Sequence, residues 1–371
     1  MNKKIIVLQG DGIGPEVVRQ AIKVIKAIDS VCDHNFELQN ELIGAASIKE
    51  NGLPITDDTI AACKNADAVL LGAIGDPEYD NNPNTTVRPE QGLLKLRKSL
   101  GLYANIRPIN TYDILNDVSP LKNERLEGVD ILIYRELTGG IYFGEKKLAA
   151  DGKSASDLCS YSVEEIERIS KLAFEAALLR DKKLTLIDKA NVLETSRLWR
   201  KTVQQMANKY PDVAVEYMYV DNAAMQMVIN PSSFDVVLTE NMFGDIISDL
   251  ASVLTGSLGM LPSSSIGADL GLFEPCHGSY PQAAGKDIAN PMATILSVAM
   301  MYDYFNLHQE AVVIRAAVNW ALKENMVTPD ITKKNPVGCA MVGDLIAHYI
   351  EEKGEVFLNK GQMEDAKNCI I

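Results

Sequence analysis

The chain carries no surplus of positive charge: 36 Lys and Arg stand against 50 Asp and Glu, for a net charge of −14 over 371 residues. Such a surface repels phosphate backbones and argues against general nucleic-acid binding. It also means that an acidic ligand must be drawn by local Arg or Lys, because the global field will not attract it. No C-x-x-C pair occurs among the six cysteines, Cys32, Cys63, Cys159, Cys276, Cys339 and Cys369, and their spacing is irregular. That argues against a disulfide framework or a zinc ribbon and for free thiols in a reducing compartment. Long apolar runs are missing too. Only four apolar residues follow Met1-Asn2-Lys3-Lys4, too few for a signal-peptide core. The most apolar helical stretch, 291–302, is interrupted by Thr294 and Ser297 and falls short of a membrane span. A cytoplasmic protein is expected. No repeat, low-complexity tract or long linker marks a boundary, so the two domains that the length suggests should be interwoven rather than strung in series.

What is present is alternation. Residues 4–8, 68–71, 130–134, 184–187, 213–220 and 234–238 read as strands, and helical periodicity covers 16–28, 163–180 and 196–209. This predicts an α/β protein with a largely parallel sheet. Residues 144–160 differ: they are polar, lack helical periodicity, and read as a surface excursion or an arm for subunit contact.

Four features bear on chemistry. The turn Gly10-Asp11-Gly12-Ile13-Gly14 after the first strand is spaced G-x-G-x-G, not G-x-G-x-x-G. No acidic residue ends a second strand about 20 residues on, so a Rossmann site is not expected and the turn reads as structural. Asp245 and Asp249 lie four apart, sharing a face if helical, and their mutual repulsion calls for a positive neighbour. With Asp221 at the end of another strand they form an all-oxygen set suited to Mg2+ or Mn2+; equally, each is compatible with a helix end or a solvated surface. Arg97, Arg107 and Arg135 could bind carboxylates bidentately or serve as surface ion-pair partners. Arg107 precedes Pro108 and so belongs on an extended segment, and Arg135 follows a strand directly. Tyr142, among glycines, and Lys189, beside Asp188, are a candidate acid and a candidate base, or a core-edge phenol and a solvated amine.

Taken in order, these segments resemble the β-decarboxylating (isocitrate/isopropylmalate) dehydrogenase family. The resemblance runs from Gly10-Asp11-Gly12-Ile13-Gly14-Pro15-Glu16 to at least Gly338. It passes through Glu90-Gln91-Gly92-Leu93-Leu94, the stretch 135–144, Asp188-Lys189-Ala190-Asn191-Val192, the stretch 241–249, His277-Gly278-Ser279 and Ala289-Asn290-Pro291. It implies two α/β domains sharing a twisted mixed sheet, not a Rossmann fold. One is discontinuous, 1–102 with 254–371, on the cofactor side. The other, 103–253, carries the dimer interface, with 144–160 as its arm. It implies a homodimer with shared active sites, in which Lys189 and Asp221 serve the neighbouring subunit.

The resemblance also implies roles. Arg97, Arg107 and Arg135 would hold substrate carboxylates, with Asp221, Glu90, Leu93, Leu94 and Val192 also against substrate. Asp221, Asp245 and Asp249 would bind Mg2+ or Mn2+. Lys189 would take the C2 hydroxyl proton and Tyr142 would protonate the carbon that loses CO2. NAD would contact Ile13, Ile74, Gly75, Glu90 and Asn191. It would also meet His277, Gly278, Ser279, Tyr280, Gln282 and Ala283, then Gly285 and Asn290. The apolar pair Leu93 and Leu94 suits an isopropyl group, whose burial is worth roughly 1.5–3 kcal/mol. Isocitrate would set an unpaired carboxylate there. The expected reaction is therefore oxidation and decarboxylation of 3-isopropylmalate in leucine biosynthesis. The alternatives are D-malate, tartrate or homoisocitrate as substrate, or a non-catalytic regulatory subunit. One departure stands out: at Gln282 relatives of the isopropylmalate type carry Asp, and NADP users carry Lys and Tyr at 282–283. Gln bonds a ribose hydroxyl without repelling a phosphate. The loop 73–78 also departs from the Gly-Gly-Pro-Lys-Trp of relatives.

Overall fold

The structure, a computed structural model, describes residues 1–80 and 86–360. Its strands are β1 (Asn2–Gly10), β2 (Asn35–Glu41), β3 (Ala68–Ala73), β4 (Ala104–Asn110), β5 (Asp130–Glu136) and β6 (Lys146–Leu148). They continue as β7 (Ala155–Asp157), β8 (Lys183–Asp188), β9 (Ala214–Tyr219), β10 (Val236–Thr239), β11 (Pro262–Ile266) and β12 (Gly271–Pro275). The described residues form two compact units: 1–102 with 257–360, and Tyr103–Gly256.

In the first unit the strand order is β2-β1-β3-β12-β11, all parallel except for the β11–β12 pair. β3 is buried along its whole length and β1 at its centre, Ile5–Leu8, which is why these stretches run continuously apolar rather than alternating. The helix Met292–Tyr304 is buried on every side, as its all-round apolar sequence demands. Its interrupting Ser297 is satisfied there: Oγ lies 2.9 Å from the carbonyl oxygens of both Ala293 and Glu274. After β1 the Gly-rich turn folds tightly. Gly10 and Gly12 both hold positive φ, and a Cβ on either would strike a carbonyl oxygen, of Ala73 or Ser279. Asp11, buried between them, accepts from the backbone N–H groups of Ala45, Ala46 and Gly75 at 3.0–3.1 Å.

In the second unit the order is β4-β5-β10-β8-β9. β5, β10, β8 and β9 are parallel and β4 is antiparallel to β5. The expectation of a largely parallel sheet holds in both units, each of these strand orders containing one antiparallel pair. The helix Val163–Leu179 opens on a capping box, Ser162 Oγ accepting from Glu165 N–H while Glu165 accepts from Ser162 N–H. Residues 144–160 contain a short antiparallel hairpin, β6–β7, whose polar strands carry no alternation to betray them. Asp221 does not end a strand: β9 stops at Tyr219, and Asp221 sits in the first turn of the helix Val220–Ile229, where the exposed N–H groups favour a carboxylate. Arg135 lies within β5, not after it. Five cysteines are free, and Cys369 falls outside the described residues. Among the described residues no helix is long and apolar enough to cross a membrane.

Candidate active site

In the second unit the candidate residues gather at the carboxyl ends of the parallel strands, where open α/β sheets bind ligands. Lys189 follows β8, Asp221 follows β9, Arg135 is the last residue but one of β5, and the helix Asn241–Ser252 follows β10. The β4–β5 register sets Asn105 opposite Arg135, so Asn105, Arg107 and Arg135 point to one face of the sheet. Asp245 and Asp249 on the helix meet these arginines. Arg107 Nη1 lies 3.0 Å from Asp249 Oδ1 and 2.6 Å from Ser248 Oγ, and its Nε bonds Asn105 Oδ1 at 2.8 Å. Arg135 donates to Asp245 through Nη1 and to Asn241 Oδ1 through Nη2 at 2.9 Å. The positive compensation that the aspartate pair demands is thus supplied by the two guanidinium groups.

Arg135 is buried, and a buried charge is tolerated only when its donors are matched. Asn241, one turn before Asp245, provides that match with both its side chain and its carbonyl. Gly244 leaves room for the stem: a Cβ there would stand 2.6 Å from Arg135 Cγ. Tyr142, 43% exposed, donates its hydroxyl proton to Asp245 Oδ2 at 2.9 Å. Burial first, then the Asp245 carboxylate, pushes the phenol's proton affinity up; nearby Arg135 opposes. The phenol is therefore protonated at neutral pH, as an acid must be.

Lys189 Nζ pairs with Asp221 Oδ1 at 2.6 Å, and that bond holds the Asp221 carboxyl below its ordinary value. The loop carrying Lys189 is fixed from behind. Asp188, buried, takes both Nε and Nη2 of Arg200 at 2.8 Å and accepts from Ala190 N–H, while Ser196 Oγ accepts from Lys189 N–H. Val192, 61% exposed, and Asn191 continue that loop. Within one chain Asp221 does not join Asp245 and Asp249. Among the described residues the one His/Cys/carboxylate trio at metal-binding distance lies elsewhere, at Cys32, His34 and Glu310.

In the first unit another set converges at the carboxyl ends of β1, β3 and β12. Ile13 N–H donates to Ser279 O at 2.8 Å and Asp11 N–H to Ala73 O at 2.7 Å, tying the three loops together. Gly75 faces the Glu90 carboxylate and the Ser279 hydroxyl; a Cβ there would sit 3.1 and 3.3 Å from them. Ile13 and Ala283 share a small apolar cluster with Ala289. Tyr280 holds positive φ and is exposed, as are Gln282 and Gly278. Gly285 N–H donates to Glu16, and Asn290 Nδ2 bonds Asp330 at 3.1 Å. Ile74 packs on the unit's main core.

Glu90, Leu93, Leu94 and Arg97 lie on the helix Pro89–Ser99 at i, i+3, i+4 and i+7, one helical face. Arg97 Nη2 bonds Glu274 at 2.5 Å. The leucines are not equivalent: Leu93 packs against the core, and Leu94 is 47% exposed. The partners Asn105, Ser248, Asn241, Arg200, Ser196 and Glu274 escape the sequence reading. Singly they are ordinary polar residues, and only register or helix facing connects them to the arginines and to Lys189. Asn105 alone has a sequence signal, two residues from Arg107 on a strand.

A sequence model of isocitrate/isopropylmalate dehydrogenases matches residues 4–346. The chain belongs to this family. It is 51% identical over 354 residues to the 3-isopropylmalate dehydrogenase of Bacteroides fragilis, covering 95% of this chain and all of that one. It is 54% identical over 340 residues to that of Priestia megaterium, covering 90% and 92%. Among solved structures it superimposes on isocitrate dehydrogenase from Methylococcus capsulatus with a TM-score of 0.84 and 33% identity, over 94% of this chain and 99% of the other. A β-decarboxylating dehydrogenase from Thermococcus kodakarensis gives a TM-score of 0.77 and 37% identity over 94% and 96%. The fold and the oxidoreductase, decarboxylating class are therefore those of the family, whose dehydrogenases in general use NAD and a divalent metal ion.

The residues present fit both groups. Asp245 and Asp249 are hard oxygen donors, each with one oxygen engaged by an arginine and lone pairs to spare. The space before Gly75, and the buried His277 Nε2 that has no hydrogen-bond partner, fit a ligand seated on the first unit's loops.

Proposed function

We propose that the chain catalyses the NAD-linked, metal-dependent oxidation of (2R,3S)-3-isopropylmalate and its decarboxylation to 4-methyl-2-oxopentanoate and CO2, in leucine biosynthesis. The observation that carries this reading is the Tyr142–Asp245–Arg135 cluster in a chain about half identical to 3-isopropylmalate dehydrogenases over nearly its full length. Arg107 and Arg135, with Arg97, bind substrate carboxylates through their planar donor forks. The partner's Lys189 takes the C2 hydroxyl proton through Nζ, and the partner's Asp221 orients that amine. The Tyr142 hydroxyl gives its proton to the carbon that has lost CO2. Asp245, Asp249 and Asp221 of the partner subunit would hold Mg2+ or Mn2+, which would supply Lewis-acid polarisation of substrate oxygens, and NAD, when bound, would supply the hydride acceptor. Leu94, exposed on the Pro89–Ser99 helix, meets the isopropyl group, and Leu93 supports it from beneath.

The working form is a homodimer. Met225, Val228 and Ile229 on one helix and Ile246 and Val253 on or just after another are 41–57% exposed, and their i, i+3, i+4 and i+7 spacings make apolar stripes that a second copy would cover. Ile246→Glu should turn a dimer into a monomer by analytical ultracentrifugation and abolish turnover; an active monomer would defeat the shared-site reading. Steady-state assay of the homo-oligomer should give the highest kcat/KM on 3-isopropylmalate with NAD and lose activity with EDTA. A higher kcat/KM on D-malate, tartrate or homoisocitrate would overturn the substrate. A silent homo-oligomer would favour the regulatory-subunit reading.

A further inference from the structure

Away from these residues, in the first unit, the helix Gly14–Cys32 ends on a thiol. Asp33 then takes left-handed φ and turns the chain so that His34, two residues on, faces the same point. Glu310 approaches from the first turn of the helix His308–Lys323. One ligand atom each of Cys32, His34 and Glu310 lies within 4.8 Å of the others, and His34 Nε2 is 2.9 Å from Glu310 Oε1. His34 Nδ1 is turned away, 3.1 Å from the Met1 amino group. The His34 ring is held by stacking on Phe36, which stacks on Tyr302 in turn. His34 and Glu310 are close to nine-tenths buried, and Cys32 is half-buried.

Two polar atoms beside the trio are buried without a partner: Asp29 Oδ1, one helical turn before Cys32, and the hydroxyl of Tyr302, a fully buried side chain. Burial first, and then the charges of Asp29, Cys32 and Glu310, raise that hydroxyl's proton affinity, and those charges mark it as their neighbour. Buried polar groups are nearly always paired, so two orphans beside one trio point to a missing partner there, and the thiol and carboxylates around it suit a cation.

We propose that Cys32, His34 and Glu310 form a second metal site, selective for a thiophilic divalent cation such as Zn2+, distinct in chemistry from the all-oxygen aspartate set. Thiolate, imidazole and carboxylate together are a zinc ligand set. Tetrahedral bonds of about 2.0–2.3 Å imply ligand separations of about 3.3–3.8 Å, so on binding the His34–Glu310 pair opens from 2.9 Å while Cys32, within 4.8 Å of both, draws in by at most about 1 Å. The thiol proton and the proton shared by His34 Nε2 and Glu310 Oε1 leave to solvent, water or Asp29 Oδ1 completes the shell, and the ion clips the end of one helix to the start of another and to His34, just before β2. Its role is structural.

The test is titration of the chelator-treated full-length enzyme with Co2+, with excess Mg2+ present to occupy the aspartate site. One equivalent should produce a thiolate-to-cobalt charge-transfer band in the near ultraviolet, displaced by Zn2+. Zn2+ should also raise the unfolding temperature. Cys32→Ser should abolish the band, and His34→Gln and Glu310→Gln should each weaken Co2+ binding at least about tenfold, with Mg2+-supported turnover unchanged. Absence of the band in wild-type protein, or its persistence in Cys32→Ser, overturns the site. Should Cys32→Ser misfold, unchanged affinity in both His34→Gln and Glu310→Gln would do the same.

Discussion

Lys189 and Tyr142 differ in how their neighbours prepare them. Lys189 is held by Asp221 on one side and a braced loop on the other, so removing the amine leaves the loop standing. Lys189→Ala should lower kcat by about 10²-fold or more with KM within a few-fold, the signature of a group acting in the transition state. An effect confined to KM would count against the base. Gln282 is exposed at the end of the first unit's 277–282 loop, so its substitution is free of packing consequences. Gln282→Asp should favour NAD over NADP by a further tenfold or so in kcat/KM, since a carboxylate repels a 2′-phosphate and a tenfold ratio needs only about 1.4 kcal/mol. An unchanged ratio would remove Gln282 from the ribose contact. These charged and aromatic residues were legible in the sequence because their motifs are contiguous. Their partners Asn241, Arg200 and Glu274 were not, because each acts from another element.

At the scale of elements, the helix Asn241–Ser252 shows why a motif holds residues that touch no ligand. Alanine at an interior glycine ordinarily stabilises a helix by about 1 kcal/mol. At Gly244 the new Cβ would meet the stem of Arg135 and the methyl of Thr239, within 2.6–2.9 Å, and overpacking of that kind costs about 1–3 kcal/mol. The clash wins, and it moves Arg135. Gly244→Ala should therefore cut kcat/KM for 3-isopropylmalate at least tenfold while far-ultraviolet circular dichroism stays native; wild-type kinetics would show that Arg135 tolerates the shift. The elements that the sequence reading found, such as β1, β3 and the helix Val163–Leu179, are those with a buried continuous run or a clear apolar face. Those it passed over lack such a pattern: β2, Asn-Phe-Glu-Leu-Gln-Asn-Glu, is an edge strand of its unit, and β11, Pro-Ser-Ser-Ser-Ile, buries serines. Their extended form comes from the neighbour's ladder, not from their own side chains.

In the molecule as a whole acid exceeds base, and at one buried place carboxylates also outnumber the cations that meet them. Behind the Lys189 loop, Glu136 is met by Arg168 and Asp188 by Arg200, but buried Glu240 has Oε2 without a partner. Burial, and then the charges of Glu136 and Asp188, push the Glu240 carboxyl up from 4.5 to about 7. The sign follows from linkage. The unfolded chain releases this proton near pH 4.5 and the folded one only near 7, so the group's contribution to stability is fully present below 4.5 and is lost as pH rises to 7. At 1.36 kcal/mol per pH unit the loss is about 3 kcal/mol. Glu240→Gln keeps the shape and cannot ionise. Urea unfolding of the two proteins should give similar stabilities near pH 5 and a variant more stable by about 2–3 kcal/mol at pH 8. A difference that stays constant across that range would mean that Glu240 ionises alike in both states, and that one of its neighbours holds the proton instead.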